Sequence, residues 1–201
     1  MKVIIIDYGA GNVPSVERAL QRLGAEAERT NSPGRIEKAE ALLLPGVGHY
    51  AALVRALDEQ EMREPLVDAI QRGVPFLGIC LGLQVLFESS AESPQLHGLN
   101  LLPGNVCSLP PTVKLPHMGW NQIVANQESR LLAGIGSSAY FYFAHSYAAP
   151  DSNGSTTATC FHGTPFAAVV EKQNIYGVQF HPEKSGDSGS RLLQNFLRIA
   201  A

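Results

Sequence analysis

The stretch GVPFLGICLGLQVLF, Gly73 to Phe87, places Cys80 between Gly78 and Gly82 where a strand-like apolar run gives way to a helix-like one. This G-x-C-x-G spacing is that of a nucleophile elbow with sulfur in place of a serine oxygen. Glycines are needed there because a sharp turn brings neighbouring backbone too close for Cβ atoms. A helix starting after the cysteine points free N–H groups at the sulfur and favours a thiolate. The alternative is that Cys80 is a small buried apolar residue, as most free cysteines are.

The stretch GVQFHPEKS supplies a partner for this cysteine. Residues two apart on an extended chain point the same way, so His181 and Glu183 share a face, and Pro182 ends the strand. A carboxylate beside an imidazole fixes its tautomer and leaves the other ring nitrogen for a thiol. The sequence therefore predicts a Cys80, His181, Glu183 triad; the alternative is a surface histidine in a simple turn.

A third stretch, ALLLPGVGHY, is an apolar strand that ends in Pro45-Gly46-Val47-Gly48. A loop at the carboxyl end of a strand can present backbone N–H groups to a reacting oxygen, and its glycines permit a peptide to rotate. Taken alone, such a loop usually only turns the chain. Its position two elements before Cys80 makes it a candidate part of the same site.

The rest of the chain predicts one α/β domain, residues 1–201. Apolar runs alternate with amphipathic segments in the first half, which is typical of parallel strands buried on both faces. The second half is rich in strands separated by Gly, Pro, Asn and Asp, so we expect antiparallel strands added to a central, mostly parallel sheet. The segment SRLLQNFLRIA is predicted to be a closing helix.

Composition excludes several classes of protein. The 201 residues are 45% hydrophobic and 16% charged, with a formal net charge of −3, so neither nucleic acid nor an anionic membrane surface is an expected partner. The start MKVIIIDYG is too short for a secretory signal, and no run reaches membrane-spanning length, which predicts a cytoplasmic protein. Cys80, Cys107 and Cys160 lack disulfide or zinc-site spacing, and we expect no metal and no cofactor.

With PGVG, GICLGLQ and HPE in this order, the chain resembles the class I, triad-type glutamine amidotransferases. The stretches DYGAGN (Asp7 to Asn12), LPHMGWN (Leu115 to Asn121) and YFYFAHSY (Tyr140 to Tyr147) make it most similar to the glutaminase subunits of imidazole glycerol phosphate synthases. Leu83 stands where many members have methionine, an apolar exchange of little consequence. The resemblance implies a flavodoxin-like domain that hydrolyses glutamine, needs no cofactor and passes ammonia to a cyclase subunit in a heterodimer of histidine biosynthesis.

The resemblance also implies roles for individual residues. Besides the triad, the oxyanion of the reaction is expected between the N–H groups of Leu81 and Val47. Glutamine is expected to contact Gly48, Gln84, Glu92, Ser146 and Tyr147. For Glu92 the equal alternative is a solvated residue. The cyclase is expected to contact Asn12, Trp120, Tyr142 and Lys184. For Trp120, in a Pro/Gly-rich turn, the alternative is a local packing anchor. The alternation of a strand independently places Tyr140 and Tyr142 on the face opposite Phe141, Phe143 and His145.

Three other functions remain open from sequence. A cysteine peptidase or a DJ-1-like protein would keep the elbow and the histidine, although the PGVG loop, Gln84 and HPE argue against both. The glutaminases of pyridoxal phosphate synthase, anthranilate synthase and carbamoyl-phosphate synthetase are nearer rivals, and HMGW is the motif that discriminates against them. A noncatalytic subunit with a relic triad is disfavoured by the intact Cys80, His181 and Glu183.

Overall fold

The computed structural model describes residues 2–151 and 154–201 as alternating strands and helices followed by a strand-rich second half. The strands are β1 (Lys2–Ile6), β2 (Glu26–Thr30), β3 (Ala41–Gly46), β4 (Phe76–Cys80), β5 (Ser89–Ser90), β6 (Asn105–Ser108), β7 (His117–Gln122), β8 (Val124–Ala125), β9 (Tyr140–His145), β10 (Tyr147–Ala148), β11 (Thr156–Phe161), β12 (Pro165–Lys172) and β13 (Ile175–Val178). The helices are α1 (Val13–Arg22), α2 (Pro33–Glu37), α3 (Tyr50–Glu59), α4 (Arg63–Gln71), α5 (Leu81–Gln84) and α6 (Gly186–Ala200), and Pro182–Lys184 form a 3-10 turn. None of the helices in these two ranges is both long and apolar enough to cross a membrane.

The central sheet has eight strands in the order β2-β1-β3-β4-β13-β12-β11-β8. The first five are parallel to one another, and β12, β11 and β8 follow, each antiparallel to the strand before it in this order. Two smaller sheets, β10-β6-β5 and β7-β9, lie beside it. The predicted fold class, a mostly parallel α/β sheet with added antiparallel strands, is confirmed.

Both faces of the parallel strands are buried, as their continuous apolar runs predict. Alternate residues of β1 enter different cores: Val3 and Ile5 pack in the cluster that contains residues of α1 and α6, whereas Ile4 and Ile6 pack in the cluster that contains residues of α3 and α4. This alternation follows from the two-residue period of a strand. Helices therefore pack against both faces of the sheet, and this packing fixes the position of its carboxyl edge.

That edge brings together the three motifs from distant parts of the sequence. Strands β3, β4 and β13 are neighbours, with Gly46 aligned with Cys80 and Ile79 aligned with Val178. The chain leaving each strand carries, respectively, the PGVG loop, the elbow and HPE. Because the carboxyl ends of parallel strands meet at one edge, this is where an α/β sheet binds its ligand.

The helix predicted after Cys80 is shorter than its apolar sequence indicates. It ends after one turn, at Gln84. The carbonyl groups of Val85 and Leu86 accept hydrogen bonds from Leu99 and Leu101 at 2.6 and 2.9 Å instead of continuing a helix. A tertiary contact thus takes the acceptors that a longer helix needs, and the elbow is followed by a single turn packed into the core.

The prediction that Trp120 lies in a turn is wrong. Trp120 belongs to β7, which pairs antiparallel with β9 over six residues, and it lies opposite Tyr142. The Pro and Gly residues around it favour a turn locally, but the backbone hydrogen bonds of β9 satisfy this segment in an extended form. The aromatic side chains therefore stand on a small sheet and not on a loop.

Candidate active site

Cys80 occupies a strained elbow at the end of β4. Its backbone has φ 55° and ψ −107°, a conformation that a non-glycine residue adopts at a cost of about 1–3 kcal/mol. Cβ atoms added at Gly78 and Gly82 would overlap the carbonyl oxygens of Gly82 and Leu44, and one at Gly46 would lie 2.6 Å from Leu81 Cβ. The glycines are thus required by close backbone packing, as the elbow pattern predicts.

His181 and Glu183 lie beside this cysteine. The Nδ1 atom of His181 is 2.9 Å from Oε1 of Glu183, and both side chains are almost fully buried. The same Oε1 atom accepts a hydrogen bond from Nδ2 of Asn12 at 3.1 Å. Oε2 of Glu183 is buried and has no hydrogen-bond partner within the described ranges. The carboxylate is therefore oriented by its contacts through one oxygen.

The electrostatics of the site favour a charged imidazole. Burial lowers the pKa of His181, but its hydrogen bonds with Cys80 and Glu183, together with the charges of those groups, raise it to about 10. At neutral pH the ring then carries protons on both nitrogens, one donated to Glu183 and the other directed at the sulfur. This arrangement can deliver a proton to a leaving group bound at Cys80.

The two expected oxyanion donors are in different states. Leu81 is the first residue of α5, so its N–H has no acceptor within the helix. The N–H of Val47 instead donates to Oη of Tyr8 at 3.2 Å, while that hydroxyl donates to the Val47 carbonyl oxygen at 3.2 Å. Tyr8 is buried. In this structure the Val47 peptide is thus held by Tyr8 and is not free to bind an oxyanion.

A cavity of about 580 Å³ opens in front of the cysteine. It is lined by all the residues expected to contact the oxyanion or glutamine, and by two of the four expected at the cyclase interface. Glu183 lies behind His181, and Trp120 and Tyr142 lie outside the cavity. The predicted residues that line it are Cys80, His181, Val47, Leu81, Gly48, Gln84, Glu92, Ser146, Tyr147, Asn12 and Lys184.

Glu92 is not the solvated residue that its sequence context allowed. It is half-buried, and Oε2 accepts a hydrogen bond of 2.7 Å from the N–H of Tyr50, the first residue of α3. A carboxylate at a helix N-terminus is stabilised by the free N–H groups and the dipole there. Its position in the wall of the cavity provides a fixed negative charge for an ammonium group.

The predicted interface residues divide between two places. Trp120 and Tyr142 stack edge to face with ring centroids 6.0 Å apart, and Nζ of Lys184 lies 5.5 Å from the centroid of the Tyr142 ring. Trp120 is 54% exposed. Asn12 does not belong to this surface, because its side chain is directed at Glu183.

The aromatic surface is connected to the histidine through the backbone of β9. The N–H of His181 donates to the Tyr142 carbonyl at 2.8 Å, and the Tyr142 N–H donates to Oγ of Ser185 at 3.0 Å. The predicted alternation along β9 is confirmed, because Phe141, Phe143 and His145 are buried whereas Tyr140 is exposed and Tyr142 is half-buried. The outer aromatic face and the HPE segment are therefore linked by direct hydrogen bonds to the backbone of Tyr142.

The family is decided by comparison with known proteins. The model of the family described as glutamine amidotransferase class-I matches residues 4–200. The chain belongs to this family. The family resemblance inferred from PGVG, GICLGLQ and HPE is thereby confirmed, and the peptidase alternative is excluded.

Two relatives narrow the comparison among the class-I amidotransferases. The chain is 48% identical over 197 residues to the imidazole glycerol phosphate synthase subunit HisH of Methanothermobacter thermautotrophicus, covering 98% of each chain. It is 47% identical to the protein of the same name from Desulfitobacterium hafniense, over 96% of this chain and 92% of the relative.

Solved structures agree on the amidotransferase fold. A glutamine amidotransferase crystal structure superposes with a TM-score of 0.79 at 20% identity over 98% of both chains. The structure of PurLQS from Thermotoga maritima superposes with a TM-score of 0.78 at 18% identity, covering 100% of this chain and 99% of that one.

Sequence reasoning missed two residues of this amidotransferase site. Gln179 places Nε2 3.6 Å from Sγ of Cys80; its position two residues before His181 on an extended chain was the available signal. Tyr8 lies within the DYGAGN stretch, but nothing local indicates that its hydroxyl reaches Val47, 39 residues away. Among the described residues no group of three histidine, cysteine or acidic side chains is arranged to hold a metal ion.

A buried histidine pair next to the cavity was also missed. His145 must donate from Nδ1 to the Tyr147 carbonyl (2.9 Å), because a carbonyl only accepts. Its Nε2 then accepts from Nδ1 of His117 (3.0 Å), whose Nε2 accepts from Nδ2 of Asn121 (3.2 Å). Burial lowers the pKa of His117 to about 4 and that of His145 to about 3. Both rings are therefore neutral at physiological pH.

This pair predicts a dependence of stability on pH. In the unfolded chain each histidine binds a proton below about pH 6.5, whereas the folded state keeps both neutral, so acid favours unfolding. We expect the free energy of unfolding to fall between pH 7.5 and pH 5, by up to about 2 kcal/mol from His145. His145→Gln should reduce this pH dependence, and exposed His97→Gln should not. Urea unfolding at pH 7.5 and at pH 5 measures this change. An equal decrease in the free energy of unfolding in the wild type and in both variants would contradict the assignment.

Proposed function

We propose that this chain is the glutaminase subunit of an imidazole glycerol phosphate synthase. It hydrolyses glutamine to glutamate and ammonia, and it passes the ammonia to a cyclase subunit that forms imidazole glycerol phosphate and AICAR in histidine biosynthesis. Relatives at 47% and 48% identity that are named as subunits of that synthase support the proposal. The observation that carries it is the buried imidazole of His181, which is hydrogen-bonded to Glu183 and lines the same cavity as Cys80.

We take residues 1–201 as a single amidotransferase domain that forms a heterodimer with the cyclase. A biosynthetic role of this kind favours the cytoplasm. The chemistry requires only side chains, backbone N–H groups and water, so the proposed mechanism uses no cofactor.

The first half of the reaction forms a thioester. The Cys80 sulfur, whose proton is held by His181, attacks the carboxamide carbon of glutamine, and the carbon–sulfur bond forms as the carbonyl oxygen becomes an oxyanion. His181 then gives its proton to the departing nitrogen, the carbon–nitrogen bond breaks and ammonia leaves. Glu183 holds the imidazolium in position through its 2.9 Å contact.

The second half hydrolyses the thioester. His181, now neutral, accepts a proton from a water molecule that attacks the thioester carbon. The carbon–sulfur bond breaks, glutamate leaves and the sulfur recovers its negative charge while His181 keeps the proton. The Leu81 N–H stabilises the oxyanion in both halves, and the Val47 N–H joins it once released from Tyr8.

Glutamine is oriented by the far wall of the cavity. The fixed carboxylate of Glu92 suits its α-ammonium group, and hydroxyl or N–H donors near Ser146 and Gly48 suit its α-carboxylate. Tyr147 and Gln84 complete this wall. The cyclase docks on the surface formed by Trp120, Tyr142 and Lys184, whereas Asn12 acts next to Glu183.

The hold of Tyr8 on Val47 predicts a low activity of the isolated chain. Ammonia released without an acceptor is wasted, and an oxyanion-hole donor is worth about 100 to 1,000-fold in turnover. We expect slow glutamine hydrolysis by the chain alone and acceleration on addition of the cyclase and its acceptor nucleotide. Tyr8→Phe should raise the rate of the isolated chain, because it keeps the ring and removes the hydroxyl that binds Val47.

Steady-state glutamate formation by the chain, the complex and the complex with acceptor measures this prediction. Tyr176→Phe is the matched control, since it removes another buried, hydrogen-bonded hydroxyl, which contacts Arg130 at 2.8 Å away from the cavity. Similar rates in all three samples would refute the gating. Absence of glutamine hydrolysis in every sample would refute the proposed function itself.

A further inference from the structure

We propose that Gln179 is a further catalytic residue of the glutaminase reaction, and that Gln84 positions it. The inference rests on the proposed function. Nε2 of Gln179 lies 3.6 Å from Sγ of Cys80, within the range of an N–H···S hydrogen bond. Gln179 is 0% exposed, and Gln84 is 3% exposed. Neither amide is therefore satisfied by bulk solvent, and their partners are those of the site.

The orientation of the Gln179 amide is determined by Gln84. The two protons on Nε2 of Gln84 go to the Tyr147 carbonyl at 2.8 Å and to Oε1 of Gln179 at 3.1 Å. A carbonyl accepts and never donates, so the NH2 group of Gln84 must face Tyr147. Gln179 must then offer its oxygen to Gln84, which turns its own NH2 group toward the sulfur.

The Tyr147 carbonyl is itself held in place. It accepts a second hydrogen bond from Nδ1 of His145, at 2.9 Å. His145 in turn accepts from His117, and both rings are neutral. The two amides are thus hydrogen-bonded to a network of the Tyr147 carbonyl and two histidines in which every donor meets an acceptor. A buried polar network that is fully satisfied in this way is rigid.

The fold explains why this contact exists. Strands β13 and β4 are parallel neighbours with Val178 aligned with Ile79, so the next residues, Gln179 and Cys80, leave the sheet side by side. Gln84 ends α5, the single turn that follows the nucleophile. Two segments that are distant in the sequence therefore place an oriented N–H donor against the sulfur.

The chemistry gives that donor a role at two points. The sulfur carries negative charge before it attacks, and it recovers that charge when the carbon–sulfur bond of the thioester breaks. A neutral thioester sulfur is a weak hydrogen-bond acceptor, so the Gln179 N–H interacts most strongly as the sulfur departs. Its loss should slow turnover and increase the fraction of Cys80 that carries the glutamyl group.

This assignment changes the expected role of Gln84. Both protons of its amide are used within the protein, so Gln84 can contact glutamine only as an acceptor, through Oε1. Loss of a residue that acts through Gln179 lowers kcat and KM together, whereas loss of a residue that binds glutamine raises KM. The two roles therefore predict different kinetics for the same substitution.

The test uses the complex with the cyclase and its acceptor, and the variants Gln179→Met, Gln84→Met and the double variant. Methionine has a similar length and no N–H donor. We expect Gln179→Met to lower kcat about tenfold and KM by a similar factor, because slower hydrolysis of the thioester leaves kcat/KM unchanged. The size is that expected for loss of a hydrogen bond to a charged group. Mass spectrometry of acid-quenched protein should show more glutamyl adduct on Cys80. Gln84→Met should lower kcat as well, and the double variant should cost no more than Gln179→Met alone.

Asn195→Leu is the control for loss of a buried amide. Asn195 is buried in α6 and donates to the carbonyl groups of Leu131 and Ala133, at 2.8 Å each. We expect it to lower stability and to leave kcat unchanged. The inference is overturned if Gln179→Met keeps kcat within twofold of the wild type or if no adduct accumulates. It is also overturned if Gln84→Met raises KM and the loss of kcat in the double variant is the product of the two single losses. An inactive wild-type complex would overturn the inference together with the proposed function, whereas an active wild type with an equally active Gln179→Met overturns the inference alone.

Discussion

Cys80→Ala is expected to abolish glutamine-dependent synthesis by the complex and to leave synthesis from added ammonium salts intact. The nucleophile forms the thioester from which ammonia is released, whereas the cyclase chemistry takes place on the partner. Removal of a covalent nucleophile costs about a million-fold in turnover in comparable triads. The alanine keeps the Cβ atom at the strained elbow, so the fold and the docking surface should persist. Synthesis rates with glutamine and with ammonium chloride measure the two activities.

Two other cysteines provide controls for this experiment. Cys107 is exposed, and Cys160 is buried, with its pKa raised to about 12 by burial. Neither lines the cavity. Cys107→Ala and Cys160→Ala should retain glutamine-dependent synthesis. Equal loss of both activities in Cys80→Ala would show that the substitution acts on assembly and would remove the support for a nucleophile.

His181→Ala is expected to lower glutamine hydrolysis far more than Glu183→Gln does. His181 carries the proton that the leaving nitrogen needs, and loss of the triad base in comparable enzymes costs about a million-fold. Glu183 exchanges no proton with substrate. Its two hydrogen bonds, from His181 and Asn12, both go to Oε1. After Glu183→Gln the side-chain oxygen of the new amide can still accept both, but a neutral amide stabilises the imidazolium less well.

Glutamate formation by the complexed variants measures this order of effects. Asn12→Ala adds a control, because it removes the second contact to Oε1 without touching the imidazole, and we expect a smaller loss than for Glu183→Gln. A greater loss in Glu183→Gln than in His181→Ala would require the base to be reassigned.

The parallel half of the fold and the triad motifs were predictable because their signals are local. Buried parallel strands need continuous apolar runs, an elbow needs glycines on both sides of Cys80, and an extended chain places His181 and Glu183 on one face. Other local signals misled. The apolar run after Cys80 indicates a longer helix than α5, and the Pro and Gly residues around Trp120 indicate a turn where β7 lies.

Sequence by itself determined the family, the α/β class and the three segments that carry the chemistry. Only the tertiary structure decided which amides face those segments. Three contacts show this. Tyr8 binds Val47, Gln179 contacts Cys80 and Asn12 binds Glu183, and the partners are 39, 99 and 171 positions apart, respectively. Such pairs depend on strand order and on the direction of each donor, since a buried polar group must find its partner wherever the packed chain supplies one. No pattern along the chain records that choice.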